Sequence, residues 1–595
     1  MEKNEGARRG VSRRSFLSGA AAAGALAAAG ALTSCSPSAN DGTGSAEEGT
    51  EGGTSAEEEA FNEAAAPIDP VEAPDSWDEE ADVVIVGSGG GGTTAAVRLS
   101  LEGLSVIVVE KADTTGGETQ NVMYFVNPGG HRMANEAEWA FPSYPYDAGS
   151  VAEYLNAQLQ YTGDYALLKA MLTKGPETID WLESEMGAAY KPTPYLDEVH
   201  GLENLWFDTD AVPEALEVGS GYGFSWLLQT MMETAQENGA NVMTSTSASA
   251  LVMEDGRVVG VKAEDADGAE IYLHANKAVL LTAGGFLNNR AMMKKYCPQT
   301  VDGVVSQAGW AYNTGECIRM GVGAGADISG YNTMSCYDGG VLQYEYDEYD
   351  TEVHAARTGD TVCAQPWLMI NRNGDRVPFV NGNCTAYPFD QDGDYLEGFA
   401  IQANIEMSQP GGRCYVVFDS KYKDLIAEGA FGQVGPRYAT EEYCDIIEET
   451  HAEDGAVVKA DTLEEVEEGL GLASGVLTSA VEEWNEACEA GEDNVEMYKY
   501  KPEWLYPVDT PPYYGAIIGG VNYESKCGLR VNPDMQVMST EGTPIEGLYA
   551  GWHTAGGADG ENAMNGIPFD CILGNGCLSF TGGYMAADGI LANEI

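Results

Sequence analysis

Basic residues are scarce in this chain. Thirty Lys and Arg stand against 94 Asp and Glu in 595 residues, a formal net charge of −64 with a pI near 4.1. A nucleic-acid binder needs a basic footprint, so that class is excluded. Adhesion of the folded part to an anionic membrane surface is disfavoured on the same ground. Paired cysteine motifs are missing too. The twelve cysteines include no C-x-x-C, which removes the signature of a zinc ribbon or a ferredoxin-like cluster. No C-x-x-C-H occurs, which removes a c-type haem within the chain. Eleven cysteines lie between Cys297 and Cys577, an odd number, so at least one thiol lacks a disulfide partner within the monomer. What is present is ample. At 44% hydrophobic residues and roughly 150 residues per domain, three to four domains or subdomains are expected. That length buries a sizeable core and rules out wholesale disorder.

The N-terminus is the exception to the acidic excess. Ser12-Arg13-Arg14-Ser15-Phe16-Leu17 matches the twin-arginine signal pattern and precedes an Ala/Gly-rich stretch. That stretch is short of the ~20 apolar residues a transmembrane helix requires. Leu32-Thr33-Ser34-Cys35 resembles a bacterial lipobox, with an ordinary signal-peptidase site as the alternative. Residues 1–35 are therefore expected to export the chain by the twin-arginine pathway and to leave an extracytoplasmic, lipid-anchored protein. The anchor would be its only membrane contact. Removal of residues 1–34, with five basic and two acidic groups, takes the net charge from −64 to −67. Residues 36–76 hold 11 acidic and no basic side chains. They read as a disordered acidic tether.

From Trp77 the chain reads "WDEEADVVIVGSGGGGTTAAVRLSLEGLSVIVVEKADTTGG". A short β-branched strand runs from Asp82 to Val86. Gly87, Gly89 and Gly92 form G-x-G-x-x-G, a helical pattern follows, and a second strand ends at Glu110. Each part has a physical task. Gly87 permits the tight turn, Gly89 lets a pyrophosphate approach the backbone, and Gly92 lets the helix pack on the strand. The helix N-terminus offers N–H groups and a positive dipole end to phosphate. Glu110, 18 residues beyond Gly92, sits where a carboxylate bonds ribose hydroxyls. The ordered set predicts a dinucleotide site.

Further motifs follow in order: Gly116-Gly117-Glu118-Thr119, "ANKAVLLTAGGFLNN", "AYNTGECIRMGVGAGADI", "GTPIEGLYAGWHTAGG" and "GIPFDCILGNGCLSFTGGYMAA". Together they resemble the fumarate reductase/succinate dehydrogenase flavoprotein family, in the soluble branch with urocanate reductases and 3-ketosteroid dehydrogenases. The resemblance spans about residues 80–595. It implies an α/β fold, with a Rossmann-like FAD-binding domain interrupted by an α+β capping domain. The expected parts are 77–335 and 501–595 for FAD and 336–500 for the substrate cap. The ordered glycine set with Glu110, and no covalent-attachment motif in the sequence, lead to the expectation of non-covalent FAD. Gly87, Gly89 and Gly92 would face the pyrophosphate and Glu110 the ribose, with Lys111 beside it. Thr115, Gly116, Gly117 and Glu118 would lie in the loop under the flavin, and Ala248 in the strand reading adenine. Ala283, Gly284 and Gly285 would form the "TAGGF" turn beside the flavin nucleotide, and Thr314, Gly315 and Glu316 correspond to the family's Thr-Gly-Asp. Gly551 and Trp552, with a C-terminal loop of Asn575, Cys577 and Leu578, would meet the isoalloxazine. Glu118 and Trp552 depart from the family pattern, which has Asn and Glu there.

The family's carboxylate clamps are not matched. By the same correspondence a proton-donating Arg falls at Cys384 and a clamping Arg at Ala563. A His pair falls at Gly515-Ala516 and another His near Tyr337. Arg376 is close but reads as structural. Tyr514, Tyr387 and Tyr337 remain as candidate polar contacts, together with His553 beside the flavin turn; a Tyr hydroxyl can donate a proton or bond a carbonyl. The expected function is an extracytoplasmic FAD reductase of an activated C=C bond, other than fumarate by preference. Its electrons would come from a separate membrane-associated donor, and the reaction would serve as an anaerobic respiratory sink. A desaturating ketone or ketosteroid dehydrogenase and a non-catalytic flavin electron carrier are the alternatives.

Overall fold

A computed structural model describes residues 55–593, leaving out 123, 127–128, 134–145, 194–203, 220–222, 299–303, 308–311, 343–348, 350–354, 359–364, 378–401, 429–443, 446, 448–456, 494–501 and 563–574. The β-branched runs Glu79–Val86 and Val106–Val109 pair in parallel and lie at the centre of a nine-stranded sheet. Val83, Val84, Ile85 and Val108 are fully buried, which is why the sequence here is a continuous apolar run. Asn241–Met243 extends the parallel part on one side and the second half of Glu270–Leu281 on the other. Pro544–Ala550, more than 260 residues later, adds in parallel to Leu281's end of that strand. The first half of Glu270–Leu281 turns into an antiparallel meander with Arg257–Glu264 and Ser247–Glu254. The helices Gly90–Leu101 and Asn575–Ala592 pack on each other beside this sheet. The architecture is mixed α/β, as the motif order implies.

A second sheet of seven strands has its own core. Its long central strand is Tyr513–Ser525, flanked by Met334–Val341 and Cys414–Asp419. Trp367, Phe418, Tyr422, Trp484 and Tyr514 fill the core beneath it. Strand membership departs from the expected boundaries. Val304–Gln307, expected in the first FAD segment, and Tyr513–Ser525, expected in the second, both belong to the cap sheet. The central strand then leaves this sheet at Ser525, whose hydroxyl accepts a hydrogen bond from the N–H of Phe286 (2.9 Å).

The expected disorder of residues 36–76 is not met from 55 onward. Ala56–Ala64 is a helix, N-capped by the Ser55 hydroxyl, and Val71–Glu72 pairs with Ser247–Glu254. The carbonyls left over at the helix C-terminus find cationic or amide donors far away in sequence. Arg319 serves Glu63 and Ala66 (2.9 and 2.6 Å), Asn289 serves Ala64 (2.8 Å), and Lys295 serves Ala65 (3.0 Å).

His131 is fully buried. Burial, with the adjacent Arg132 charge second, pushes its imidazole down to about 3. The folded chain therefore refuses a proton that the unfolded chain takes up near 6.5, and stability is lost as pH falls below that value. At ~1.4 kcal/mol per unit, His131→Gln should shrink the stability difference between pH 7 and pH 5 by about 2 kcal/mol. Denaturant unfolding at the two pH values measures it.

Candidate functional site

The sheet's carboxyl edge opens into a cavity lined by glycine turns and by the ends of the parallel strands. Its floor is the turn after Glu79–Val86. Gly87 has φ +98°, and a Cβ there would lie 2.7 Å from the backbone of Thr282 and Ala283. Gly92 lies behind the wall, where a Cβ would come within 1.9 Å of the Gly87 carbonyl oxygen. Gly89 is different: a Cβ would meet the Thr119 hydroxyl at 3.6 Å, and the residue lines the cavity. Gly87 and Gly92 are thus required by close packing, while Gly89 has room on the cavity side. The helix Gly90–Leu101 begins at this point.

Glu110 ends its strand buried. One carboxylate oxygen accepts from the Ser88 N–H and hydroxyl (2.9 and 2.7 Å), the other from the Ala112 N–H (2.8 Å). These bonds fix its orientation on the cavity wall. Lys111 reaches Glu316 at 2.8 Å and the Thr314 hydroxyl at 3.2 Å. Burial alone would raise the Glu316 carboxyl, but Lys111 and the Thr314 hydroxyl outweigh it and hold the group below its usual range.

Twelve expected cofactor residues line one continuous wall, Gly87, Gly89, Glu110, Lys111, Gly117, Glu118, Ala248, Ala283, Gly284, Gly285, Glu316 and Trp552, together with the catalytic candidate His553. The others stand one step back. Gly116 donates to the Ser88 carbonyl (3.1 Å), and Thr115 precedes it in the same loop. Thr314 holds Lys111 and Glu316, and Gly315 caps the helix Glu316–Gly323. Gly551 donates to the Leu281 carbonyl (2.9 Å). Cys577 and Leu578 are buried in the helix Asn575–Ala592, not in a loop, and it is Ser579 of that helix that reaches the wall.

The catalytic candidates fare unevenly. Tyr514 is not on the cavity. It is buried in the cap core, its ring parallel to Phe418 (5.3 Å, 1°) and edge-on to Tyr422. The strand period that puts Tyr514 inward is a packing signal, and Tyr514→Phe should leave turnover unchanged. Its stability cost should not exceed about 1.5 kcal/mol, the worth of one hydrogen bond. Steady-state rates and thermal unfolding of the variant measure both. Tyr337 lies on the strand Met334–Val341, where the pairing register shifts. Tyr387, Cys384 and Ala563 lie outside the described residues. Gly515 is also misplaced as a clamp position: a Cβ there would meet Val466 and Leu470 of the cap core. The residue that the same strand delivers to the cavity is Glu524, nine positions on, with its Oε2 2.7 Å from His553 Nε2. Sequence reasoning missed Glu524. An acid near the end of a long strand, just before the Ser525 that binds the Phe286 backbone, was the available signal.

The pattern of residues 82–569 matches the family described as FAD binding domain. The chain belongs to that family. Its glycine cradle and the buried carboxylate of Glu110 fit FAD on their own terms. A vinyl phenol reductase of Lactiplantibacillus plantarum is 26% identical over 502 residues, covering 82% of this chain and 93% of the other. An NADH:acrylate oxidoreductase of Vibrio harveyi is 25% identical over 549 residues and 82% of this chain; the match spans only 49% of that protein's length. The fold is shared with a 3-ketosteroid Δ1-dehydrogenase from Sterolibacterium denitrificans, at 20% identity and a TM-score of 0.61, over 86% of this chain and all of that one. The protein is an FAD-dependent oxidoreductase.

Proposed function

We propose that the chain reduces an activated C=C bond in a small neutral or singly charged acceptor rather than a dicarboxylate. The observation that carries this is the charge of the cavity wall. Among the described residues lining it, the basic groups are Lys111, engaged by Glu316, and His553, set against Glu524, while Glu110 and Glu118 add further acid. Desolvating two carboxylates without cationic partners costs several kcal/mol each. The similar proteins' names, a vinyl phenol and an acrylate reductase, support an activated alkene.

Gly87, Gly89 and Gly90 would face the pyrophosphate of FAD, Glu110 its ribose, and Thr246 to Ala248 its adenine. When bound, non-covalently in this reading, FAD would supply hydride-transfer chemistry. At the other end of the cavity from Glu110, Trp552, itself buried, would keep water out, and His553 Nε2 could hold a proton against Glu524. The twin-arginine signal, the lipid anchor at Cys35 and a membrane-associated electron donor belong to the same reading. Residues 1–54 lie outside the described structure, so the sequence pattern supports this part by itself.

Anaerobic assay of flavin-loaded protein with a reduced dye tests the reading. Oxidation of the dye by enones or aryl alkenes, with fumarate much the poorer acceptor, is expected. Efficient fumarate turnover would overturn it, and activity only with an oxidised dye and a saturated ketone would make the enzyme a dehydrogenase.

A further inference from the structure

Residues 55–72 have the composition of a tether, yet they form a strap along an element that builds the cofactor wall. That element is the helix Glu316–Gly323. Glu316, Cys317 and Met320 line the cavity, while Arg319 and Gly323, one turn apart, meet the strap. The Arg319 guanidinium donates to the Glu63 and Ala66 carbonyls (2.9 and 2.6 Å), and its own carbonyl accepts from the Ile68 N–H (3.0 Å). A Cβ at Gly323 would lie 1.9 Å from the Ile68 carbonyl oxygen. Asn289 makes a second link. Its amide divides between the Ala64 and Thr314 carbonyls (2.8 and 2.9 Å). The Thr314 hydroxyl in turn holds Glu316 and accepts from Lys111, both of them on the wall.

The contact is specific. Arg319 and Lys295 are neighbouring cations: burial lowers the Lys295 ammonium, and the Arg319 charge lowers it further. Among the described residues neither makes an ion pair, and the hydrogen bonds of both side chains go to strap carbonyls at the negative end of the helix Ala56–Ala64. Phe61 of the same helix is buried, with its ring edge-on to Tyr349 (5.9 Å) and Lys294 above it. Val71–Glu72 then pairs in parallel with Val252 and Met253. On the receiving side, Glu316–Gly323 has only eight residues. A helix that short does not hold itself in place, so its position comes from what packs on it.

We propose that residues 55–72 are a clasp for the cofactor: docked, they fix the wall from Thr314 to Met320, and Asn289 and Arg319 are the positioning residues that carry the effect. The inference depends on FAD binding and not on which substrate is reduced. Linkage makes the effect mutual. If the docked strap raises the affinity for FAD by some factor, bound FAD favours the docked strap by that same factor. The stretch through which the chain enters the folded enzyme thereby responds to whether its cofactor is in place.

Gly323→Ala in the full chain tests the clasp without altering a residue of the wall. Alanine suits a helix better than glycine, and the three atoms nearest its Cβ all belong to Ile68 and Asp69 of the strap. The dissociation constant for FAD, read by quenching of flavin fluorescence, should rise about tenfold with far-UV circular dichroism unchanged. Phe61→Ala loosens the strap from its own side and should weaken FAD binding in the same direction. Arg319→Lys should retain more affinity than Arg319→Met. The reciprocal arm needs no variant. Hydrogen–deuterium exchange of the wild type, stripped of flavin and then reloaded, should show the Ile68 amide protected by FAD by the factor that Gly323→Ala costs in affinity. A strap loosened in either variant with wild-type FAD affinity would overturn the proposal. So would an Ile68 amide whose exchange ignores FAD. A strap that stays fully protected in both variants would refute the docking geometry and the clasp with it.

Discussion

Replacing Gly92 by alanine is expected to strip the protein of its flavin. The added Cβ would sit 1.9 Å from the Gly87 carbonyl oxygen and 2.7 Å from the Thr282 hydroxyl. Neither obstacle is the loose end of a flexible side chain. The Gly87 carbonyl belongs to the central strand's turn, and the Thr282 hydroxyl is already bonded to the Val86 and Gly87 carbonyls (3.0 and 2.9 Å). Relief requires the helix Gly90–Leu101 to retreat by roughly 1 Å. That moves the first-turn N–H groups away from where phosphate binds. Overpacking of this kind costs ~1–3 kcal/mol, which alone weakens affinity by about tenfold to a hundredfold. The ratio of flavin absorbance to protein absorbance after gel filtration should fall accordingly, with far-UV circular dichroism little changed. Gly89→Ala is the informative control. Its Cβ meets no protein atom closer than 3.6 Å, so any flavin loss there reports the cofactor's own approach and not packing. A Gly92→Ala protein that stays fully yellow would refute this account of the turn.

The contrast between these two glycines also shows why part of the site was legible beforehand. The G-x-G-x-x-G turn, its strands and Glu110 are set by local sterics and by a run of β-branched residues, and both are written in consecutive positions. Gly87, Gly89 and Glu110 on the wall follow from that local order, and the other expected wall residues rest on the resemblance. The failures are all contributions made at a distance. Residues 55–76 have the composition of a tether, yet the helix Ala56–Ala64 is held by Asn289, Lys295 and Arg319, more than 220 residues away. Tyr514 looks like a polar catalytic group in one dimension and proves to be the ring stacked on Phe418. Glu524 lies on the same 13-residue strand as Gly515-Ala516, where the resemblance places the His pair. Within that strand every second residue faces the same way, so alternation gives no warning of where the strand leaves one sheet and enters the cavity wall.

Arg376 illustrates the same limit from the other side, and it carries the largest expected loss of stability. It lies near the position where a proton-donating Arg was sought, yet its Nη1 pairs with Asp493 Oδ1, with side-chain exposures of 8% and 0%. The guanidinium also lies over the Trp484 ring, 5.3 Å from its centre. The pair ties the turn Asn371–Val377 to the segment after the helix Val476–Ala490 and closes one side of the cap core. A guanidinium cannot shed its proton to escape burial. Asp493→Ala therefore removes a carboxylate from a buried cation, and breaking a buried pair in this way costs ~3–5 kcal/mol. The double variant Arg376→Met with Asp493→Leu removes both charges and should recover most of that loss, because replacing a buried pair by apolar groups is often neutral. Denaturant titration followed by tryptophan fluorescence should show the single variant's midpoint well below the wild type and the double variant's close to it. Flavin content should be retained in both under native conditions, since the glycine turn and Glu110 belong to the other core. If Asp493→Ala proves as stable as the wild type while turnover collapses, Arg376 is a proton donor after all and the structural assignment of this pair is wrong.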